Sequence, residues 1–158
     1  MTRTHRPVSS THHAVAVIVR DAGVLIRGRS GAGKSRLAEE LAAEARSRGW
    51  FGRLVADDRV QIVARAGRAI LSPHPTIAGQ VERRGQGIFV VDHEKAAVLR
   101  LVVDLVDRAQ GGDDPPRFPD ERARSTEIAG VAAPRIALVI GEPGGARLLV
   151  EKIAAAGA

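Results

Sequence analysis

The feature that most constrains this chain is a glycine-rich segment of the form GxxxxGK[ST]. Its members are Gly28, Arg29, Ser30, Gly31, Ala32, Gly33, Lys34 and Ser35. The apolar run Gly23 to Ile26 precedes it, and apolar residues recur at helical spacing from Ser35 to Arg48. Glycines let such a loop curl, so that several backbone N–H groups face one anion at the positive end of the following helix. The sequence therefore predicts a phosphate-binding loop between a strand and a helix, with a nucleoside triphosphate as its ligand.

The last two residues of this loop carry side chains suited to a triphosphate. Lys34 would place its ammonium group against the terminal phosphates, and the hydroxyl of Ser35 would hold Mg²⁺. A phosphate loop alone does not separate an ATPase, a GTPase, a small-molecule kinase and a protein kinase. The acids and bases elsewhere in the chain must distinguish these classes.

The composition predicts a single domain over residues 1 to 158. A chain of 158 residues with 44% hydrophobic content can bury one core but not two sizeable ones. It has no cysteine, which excludes disulfides and thiolate metal sites. The longest apolar run near the start, Ala14 to Val19, is too short for a signal peptide or a membrane span. We therefore expect a cytoplasmic protein that makes no membrane contact.

The net charge of +6 comes from arginines that are scattered among acids. No basic run reaches five residues, and an aromatic content of 3% supplies few platforms on which bases could stack. This pattern does not favour a nucleic-acid partner. An anionic ligand or an acidic protein partner would use the same charge.

Apolar periodicity divides the remaining chain into strands and one further helix. Strands are predicted over Val15 to Val19, Val24 to Arg27, Leu54 to Ala56, Val60 to Ala64, Ala69 to Leu71, Val98 to Val106 and Ile136 to Ile140. A terminal helix is predicted over Ala146 to Ala156. We expect a loose start at residues 1 to 12, a loop at 81 to 87 and a flexible loop at 110 to 119. Trp50 and Phe51 would either cover the nucleotide or pack on the core.

Two adjacent acids, Asp57 and Asp58, follow the strand Leu54 to Ala56. A phosphoryl transferase needs a carboxylate that accepts the proton of the nucleophile or holds Mg²⁺. Adjacent side chains of an extended segment point to opposite sides, so the two acids should have different tasks. Asp104, which ends the apolar run Leu101-Val102-Val103, is a competing candidate for the acid on the metal side.

Glu82 and Arg84 form a second candidate cluster, which pairs a hard oxygen ligand with a guanidinium that can fork onto phosphate oxygens. By itself the cluster is weak evidence, and an ion-paired surface loop is the commoner origin of such a pattern. In the same way, a histidine such as His13, at the head of the first predicted strand, is more often a surface residue or a satisfied strand edge than a catalytic partner.

Taken in order and spacing, these features resemble the catalytic domain of HPr kinase/phosphorylase, the bacterial enzyme that phosphorylates a serine of the phosphocarrier protein HPr. That family has a His-Gly pair, a GxSGxGKS loop, an (L/I)(V/I)ADD motif and an E(I/V)RGxG(I/V) motif. The matching segments are His13-Ala14, Gly28 to Ser35, Leu54 to Asp58 and Glu82 to Ile88. The resemblance covers residues 12 to 120 well and the rest poorly. It implies an α/β fold on a P-loop nucleotide-binding core, similar to that of HPr kinases and ATP-dependent phosphoenolpyruvate carboxykinases.

The resemblance also implies roles for the acids and for His13. Asp58 would be the base for the incoming serine hydroxyl and the acid in the reverse reaction, and His13 would orient its carboxylate. Ser35 and Glu82 would bind Mg²⁺. Asp57 would be structural or lie on the metal side, and the reverse assignment of the two adjacent acids stays open.

Basic residues would complete the implied site. Lys34 would stabilise the moving phosphoryl group, and Arg84 would help to hold phosphate or phosphoserine. Arg117, in Arg117-Phe118-Pro119, resembles the arginine of a DRLG-like segment of the family, where it would neutralise developing charge. The implied cofactors are ATP and Mg²⁺, the implied partner is HPr, and family members are hexamers.

The chain departs from the family pattern in several places. The chain begins close to the matched histidine, so the resemblance implies a short form that lacks the N-terminal domain of full-length members. Arg29 stands where the family commonly has an acid, and Arg83 replaces an apolar residue, so the phosphate site is more basic. Residues Pro143 to Arg147 match the C-terminal PGRN segment of the family only loosely. The kinase reaction is therefore predicted, and dephosphorylation of phosphoserine-HPr is left open.

Two other functions remain open at this level. One is a regulatory module that binds ATP but has lost kinase chemistry, which a missing Asp58 or His13 would have favoured. The other is a small-molecule kinase or plain ATPase that uses Asp104 as its metal-side acid. Substitution of Asp104 would abolish turnover in that case, whereas substitution of Asp58 would be tolerated.

Overall fold

A computed structural model describes residues 9–157 of the chain. Eleven strands are present in these residues: β1 (Ser9–His13), β2 (Val15–Val19), β3 (Ala22–Arg27), β4 (Gly52–Ala56), β5 (Arg59–Arg65), β6 (Arg68–Pro73), β7 (Gln80–Arg83), β8 (Gly87–Val90), β9 (Ala97–Val106), β10 (Ser125–Ile128) and β11 (Val131–Val139). The helices of more than one turn are α1 (Lys34–Ser47) and α2 (Gly145–Ala156). Neither helix combines the length and the apolar character that a membrane crossing requires.

A nine-stranded sheet forms the centre of the fold. Seven strands lie in the order β1-β5-β6-β9-β3-β2-β4, while β11 pairs with β9 and β10 pairs with β11. Strand β9 runs parallel to both β3 and β11, and β2 runs antiparallel to β3 and β4. The C-terminal ends of β3, β4, β9 and β11 therefore meet at one edge of the sheet. In open α/β sheets ligands bind at this edge.

Both faces of the central strands are buried, which explains their unbroken apolar runs. Along β2 and β3, residues such as Val17 and Ile26 pack under the two helices, where Leu41 and Leu149 are also fully buried. Their neighbours in the chain, such as Leu25, face the opposite layer. Trp50 packs against the helix-side core, so of the two interpretations of this residue, packing on the core is confirmed.

The predicted strand-loop-helix unit, the strands predicted at the positions of β2 to β6 and β9, and the terminal helix are confirmed. The loose start at residues 1 to 12 is wrong for residues 9 to 12, since Ser9–His13 is strand β1; residues 1 to 8 lie outside the described part of the chain. Strand β1 is an edge strand that pairs with β5 along its whole length. Its side chains are half-buried at most, so backbone pairing rather than apolar periodicity holds it in place.

The predicted loop at residues 81 to 87 is also wrong, because its two ends belong to a hairpin. Strands β7 and β8 pair only with each other, and the glycines mark the turn between them. Gly85 and Gly87 have φ angles of 76° and 99°, a region in which glycine is favoured. The last sheet strand, β11, begins five residues earlier than predicted, and β10 was not predicted.

Candidate functional site

The glycine-rich loop joins the end of β3 to the start of α1, as its flanks predict. Gly31 and Gly33 have φ angles of 78° and 92°, so both stand in the left-handed region that the tight curl of the loop requires. Gly33 caps the helix without a side-chain hydrogen bond, and the first turn of α1 carries no acid. The N–H groups of this helix end are therefore available to an anion, and the helix dipole favours negative charge there.

Lys34 folds back over the loop. Its Nζ donates hydrogen bonds of 2.9 Å to the carbonyl oxygens of Gly28 and Arg29, and only 8% of the residue is exposed. Burial lowers the pKa of Lys34, while the carboxylates of Asp58 and Asp57 act in the opposite direction. The ammonium group is thus held against the loop carbonyls, within electrostatic reach of both acids but without an ion pair to either in residues 9–157.

Asp57 connects the phosphate loop to β7. Its Oδ1 accepts a hydrogen bond of 2.5 Å from the hydroxyl of Ser35, and its Oδ2 accepts one of 3.3 Å from the backbone N–H of Glu82. The residue is only 7% exposed. This contact brings together the three residues that the resemblance implies on the metal side.

The oxygen donors at this point suit Mg²⁺. Within residues 9–157 there is no cluster of three or more His, Cys, Asp or Glu side chains that could enclose a metal. Mg²⁺ does not need such a cage, because it usually binds through one or two carboxylates, water and substrate phosphates. The hydroxyl of Ser35 and the carboxylate of Asp57 are hard oxygen donors of this kind, and the backbone N–H of Glu82 bonds to the same carboxylate.

Asp58 lies in the turn between β4 and β5 with a φ of 66°, a conformation that Asp tolerates better than most residues. Its side chain is 57% exposed, and its Oδ1 lies 3.0 Å from Nδ1 of His13. Strand β1 supplies that histidine, and the N–H of Ala14 donates to the carbonyl of Asp58 at 3.2 Å. The two adjacent acids therefore have different surroundings: one is buried against the loop and the other is exposed. The extended geometry expected for this pair is wrong, because Asp58 lies in a turn with a positive φ.

The arginines of the predicted site separate into two groups. Arg84 reaches the phosphate loop, since its Nη2 lies 3.8 Å from the point where a Cβ on Gly31 would stand. Arg29 forms an ion pair with Asp107 at the end of β9, so its charge is already partnered.

Arg117 is not brought to the loop. Its guanidinium lies 5.9 Å from the ring of its neighbour Phe118, and no hydrogen bond or ion pair within residues 9–157 connects it to the phosphate loop. Of the predicted site residues, it is the one that this arrangement leaves apart.

Asp104 is occupied by two arginines, which argues against a metal-side role. Its carboxylate accepts two hydrogen bonds from Arg27, at 2.7 and 2.8 Å, and one of 2.5 Å from Arg135. Burial raises the pKa of Asp104, but the hydrogen bonds and charges of the two guanidinium groups outweigh burial, and the net pKa is below its ordinary value.

This three-residue clamp was not predicted. Arg27 and Asp104 stand opposite each other only because β3 and β9 pair in parallel at that register. Residues 77 positions apart in the chain offer no local pattern that would reveal the contact. The clamp fixes the residue directly before Gly28, and so it stabilises the entry to the phosphate loop.

Comparison with known proteins agrees with this geometry. The family model described as HPr Serine kinase C-terminal domain matches residues 7–157. An HPr kinase/phosphorylase of Azoarcus sp. (strain BH72) is 35% identical over 136 residues, which cover 81% of this chain and 41% of the relative. One of Neisseria meningitidis serogroup C is 36% identical over 108 residues, 63% of this chain and 32% of the relative. The chain thus spans less than half the length of these relatives.

A solved structure supports the same assignment. The Hpr(Ser) kinase/phosphatase from Coxiella burnetii superposes with a TM-score of 0.71 at 25% sequence identity, over 94% of this chain and 95% of the solved chain. The mixed α/β fold is therefore that of this family, as the sequence motifs predict. On the match of the family model and the identity to its relatives, the chain belongs to the HPr serine kinase C-terminal domain family.

Proposed function

We propose that this chain is an ATP- and Mg²⁺-dependent protein kinase that phosphorylates a serine of HPr. The observation that carries the proposal is the exposed carboxylate of Asp58, held 3.0 Å from His13 beside the phosphate loop. A base must reach the proton of a protein hydroxyl that arrives from solvent, and an exposed acid meets that need. The names of the relatives supply the acceptor, HPr.

In this mechanism the serine oxygen attacks the γ-phosphorus, and its proton passes to the carboxylate of Asp58. The bond between the γ-phosphorus and the β,γ-bridging oxygen breaks, and ADP leaves with that electron pair. His13 orients the carboxylate. Lys34 and the loop N–H groups stabilise the charge on the moving phosphoryl group, an effect that a preorganised site can supply.

Mg²⁺, when bound, would neutralise part of the phosphate charge. Ser35, Asp57 and Glu82 are the residues that would hold it, on the support of the contacts that Asp57 makes with the other two. Arg84 would bind phosphate oxygens, on the support of the approach of its Nη2 to Gly31 in the loop. The proposed role of Arg117, which is to neutralise developing charge, rests on the resemblance and requires residues 110 to 119 to approach the phosphates.

We further propose that the protein acts in the cytoplasm and assembles as a hexamer, as the resemblance implies. Support for assembly comes from β8, whose Ile88 and Val90 are 67% and 86% exposed on a hairpin that pairs with no other strand of residues 9–157. Exposed apolar patches of this kind mark interaction surfaces. Light scattering coupled to size exclusion would give the mass of the assembly.

The test of the kinase proposal is incubation of the purified chain with Mg-ATP and HPr, followed by intact-mass measurement of HPr. The proposal predicts the gain of one phosphate, which fragmentation places on a serine. ATP binding without phosphorylation of HPr would exclude HPr as acceptor. The same assay, started from phosphoserine-HPr and inorganic phosphate, would establish whether the reverse reaction also occurs.

A further inference from the structure

A cavity of about 1000 Å³ lies at the end of the sheet opposite the phosphate loop. Its walls come from the β2–β3 turn, the β5–β6 turn, the first half of β9, the start of β11 and the end of α2. Strand β3 begins at this cavity with Ala22 and ends at Arg27, next to the phosphate loop. At a rise of about 3.3 Å per residue, this strand separates the two regions by roughly 17 Å.

The cavity lies where β6 and β11, which pair with the same edge of β9, end their pairing at different residues. Strand β6 pairs with β9 up to Val98, and β11 pairs along the same edge of β9 only from Val102 onward. Residues 99 to 101 therefore have no strand partner on that edge among the residues that the structure describes. The diverging starts of β6 and β11 leave a recess floored by apolar residues such as Ala69 and Leu101.

A β-bulge on the edge of β9 that pairs with β3 leaves Arg100 without a pairing partner in that strand. Gly23 of β3 pairs with Leu99 and Val24 pairs with Leu101, so Arg100 has no counterpart in β3. Bulges redirect side chains in this way. Glycine is required at position 23 because a Cβ there would stand 2.5 Å from the carbonyl oxygen of Val98.

The lining of the cavity is net basic, and its basic residues are exposed. Four basic side chains from four elements line it, with one acid, Asp21. The basic residues are Arg20, Arg68, Arg100 and Lys152. None of them enters an ion pair within residues 9–157. Of the sixteen arginines elsewhere in residues 9–157, seven also lack an ion pair and nine form one: Arg27, Arg29, Arg36, Arg48, Arg53, Arg83, Arg108, Arg135 and Arg147.

Arg20 is held in place without an acid. Its guanidinium lies 4.7 Å from the centre of the Trp50 ring, and its Nη1 is 3.8 Å from the point where a Cβ on Gly157 would stand. Stacking on the indole preorganises the guanidinium and leaves its N–H groups available at the edge. At least one cation of the cavity is thus fixed before any ligand arrives.

We propose that this cavity is a binding site for a small anion of two or more negative charges, a metabolite that bears phosphate or carboxylate groups. Several cations that converge on one recess bind such an ion by charge-assisted hydrogen bonds. A recess of this volume fits a small molecule, and its apolar floor accommodates the uncharged part of that molecule. The site is separate from the phosphate loop and does not depend on the kinase proposal.

The test is a titration of the ¹⁵N-labelled chain with inorganic pyrophosphate and, separately, with citrate at constant ionic strength, followed by backbone amide shifts. Saturable shifts are expected at Ala69, Leu99 and Ala132. The double variant Arg68→Gln with Arg100→Gln should weaken this binding by about tenfold or more, since each removes a charge-assisted hydrogen bond. The control double variant, Arg65→Gln with Arg122→Gln, removes the same charge from exposed positions outside the cavity and should bind like the wild type.

Binding of both probes, or of one alone, supports the site, and the probe that binds identifies phosphate or carboxylate as the ligand group. Shifts confined to residues 28 to 35 would overturn the proposal, because the probe would then occupy only the phosphate loop. Linear shifts without saturation, or equal weakening in both double variants, would also overturn it. The localisation of wild-type shifts decides the question even if a variant fails to fold.

Discussion

Asp58 and Asp104 occupy similar places in the sequence, each at or near the end of an apolar strand, yet their surroundings differ. Both lie toward the same edge of the sheet, after β4 and within β9. The side chain of Asp104 is 20% exposed and accepts hydrogen bonds from Arg27 and Arg135. That of Asp58 is 57% exposed and contacts His13. One acid has its lone pairs used by protein donors, whereas the other presents them to solvent.

The position of an acid at the end of a strand therefore does not by itself assign it a catalytic role. A carboxylate that accepts hydrogen bonds from two guanidinium groups is stabilised in its charged form, so it is a poor proton acceptor. Its contribution is to structure, because it ties β9 and β11 to the entry of the phosphate loop. Asp58 has the access and the freedom that a base needs.

The largest expected effect is on catalysis by Asp58→Asn. Loss of a general base should lower phosphate transfer to HPr by about 10²- to 10⁴-fold. ATP affinity and melting temperature should stay near the wild-type values, since the side chain is exposed. Asp21→Asn, which removes an exposed acid at the end of the sheet opposite the phosphate loop, is the matched control and should keep full activity.

Asp104→Asn should show the opposite pattern, with stability lost and turnover per folded molecule kept. Loss of charge-assisted hydrogen bonds in a largely buried network should cost about 1–3 kcal/mol in the free energy of unfolding. Because the pKa of Asp104 is lowered in the folded state, its contribution is present at neutral pH and declines as pH falls below about 3.9 toward the folded-state pKa. Denaturant midpoints should therefore differ at pH 7 and converge in acid. A constant difference across this range would contradict the assignment.

His13 should act through Asp58, so its removal should affect kcat more than KM. Misplacement of a catalytic group can cost up to about a hundredfold in rate, and His13→Ala should approach that loss. His13→Gln keeps a hydrogen-bond donor and should recover part of the rate. Equal rates for the two variants would show that the contact with Asp58 does not matter.

The smallest expected effect separates two adjacent arginines. Arg84→Gln should weaken ATP binding by up to about tenfold, the value of one charge-assisted hydrogen bond, with kcat unchanged. Arg83→Gln should leave ATP affinity unchanged, because Arg83 pairs with Glu39 and stacks on Phe89 instead. Calorimetric titration of both variants measures the difference. Equal losses would mean that proximity of Arg84 to Gly31 has no role in binding.

Much of the site could be predicted because its signals are local. The phosphate loop, its flanking strand and helix, and the position of the adjacent acids Asp57 and Asp58 directly after β4 all follow from patterns within a few residues. Strand β1 and the β7–β8 hairpin could not be recognised, since one is a polar edge strand and the other is a largely exposed hairpin that stands apart from the main sheet.

The other features that could not be predicted depend on pairing between strands that are distant in the sequence. Arg27 and Asp104 meet through the register of β3 with β9, and Arg135 joins them from β11. A strand order of this kind depends on tertiary packing, so a single sequence could not reveal that Asp104 is clamped. For the same reason it could not reveal the fork of β6 and β11 that opens the basic cavity.

The most direct test of the central claim is a single-turnover assay of HPr phosphorylation with saturating Mg-ATP, run side by side on Asp58→Asn and Asp104→Asn. Rates are expressed per folded, ATP-bound molecule. The account predicts that Asp104→Asn transfers phosphate at a rate close to that of the wild type, while Asp58→Asn binds ATP but transfers almost none. Transfer by Asp58→Asn together with inactivity of Asp104→Asn would contradict it and assign the chemistry to the clamped acid.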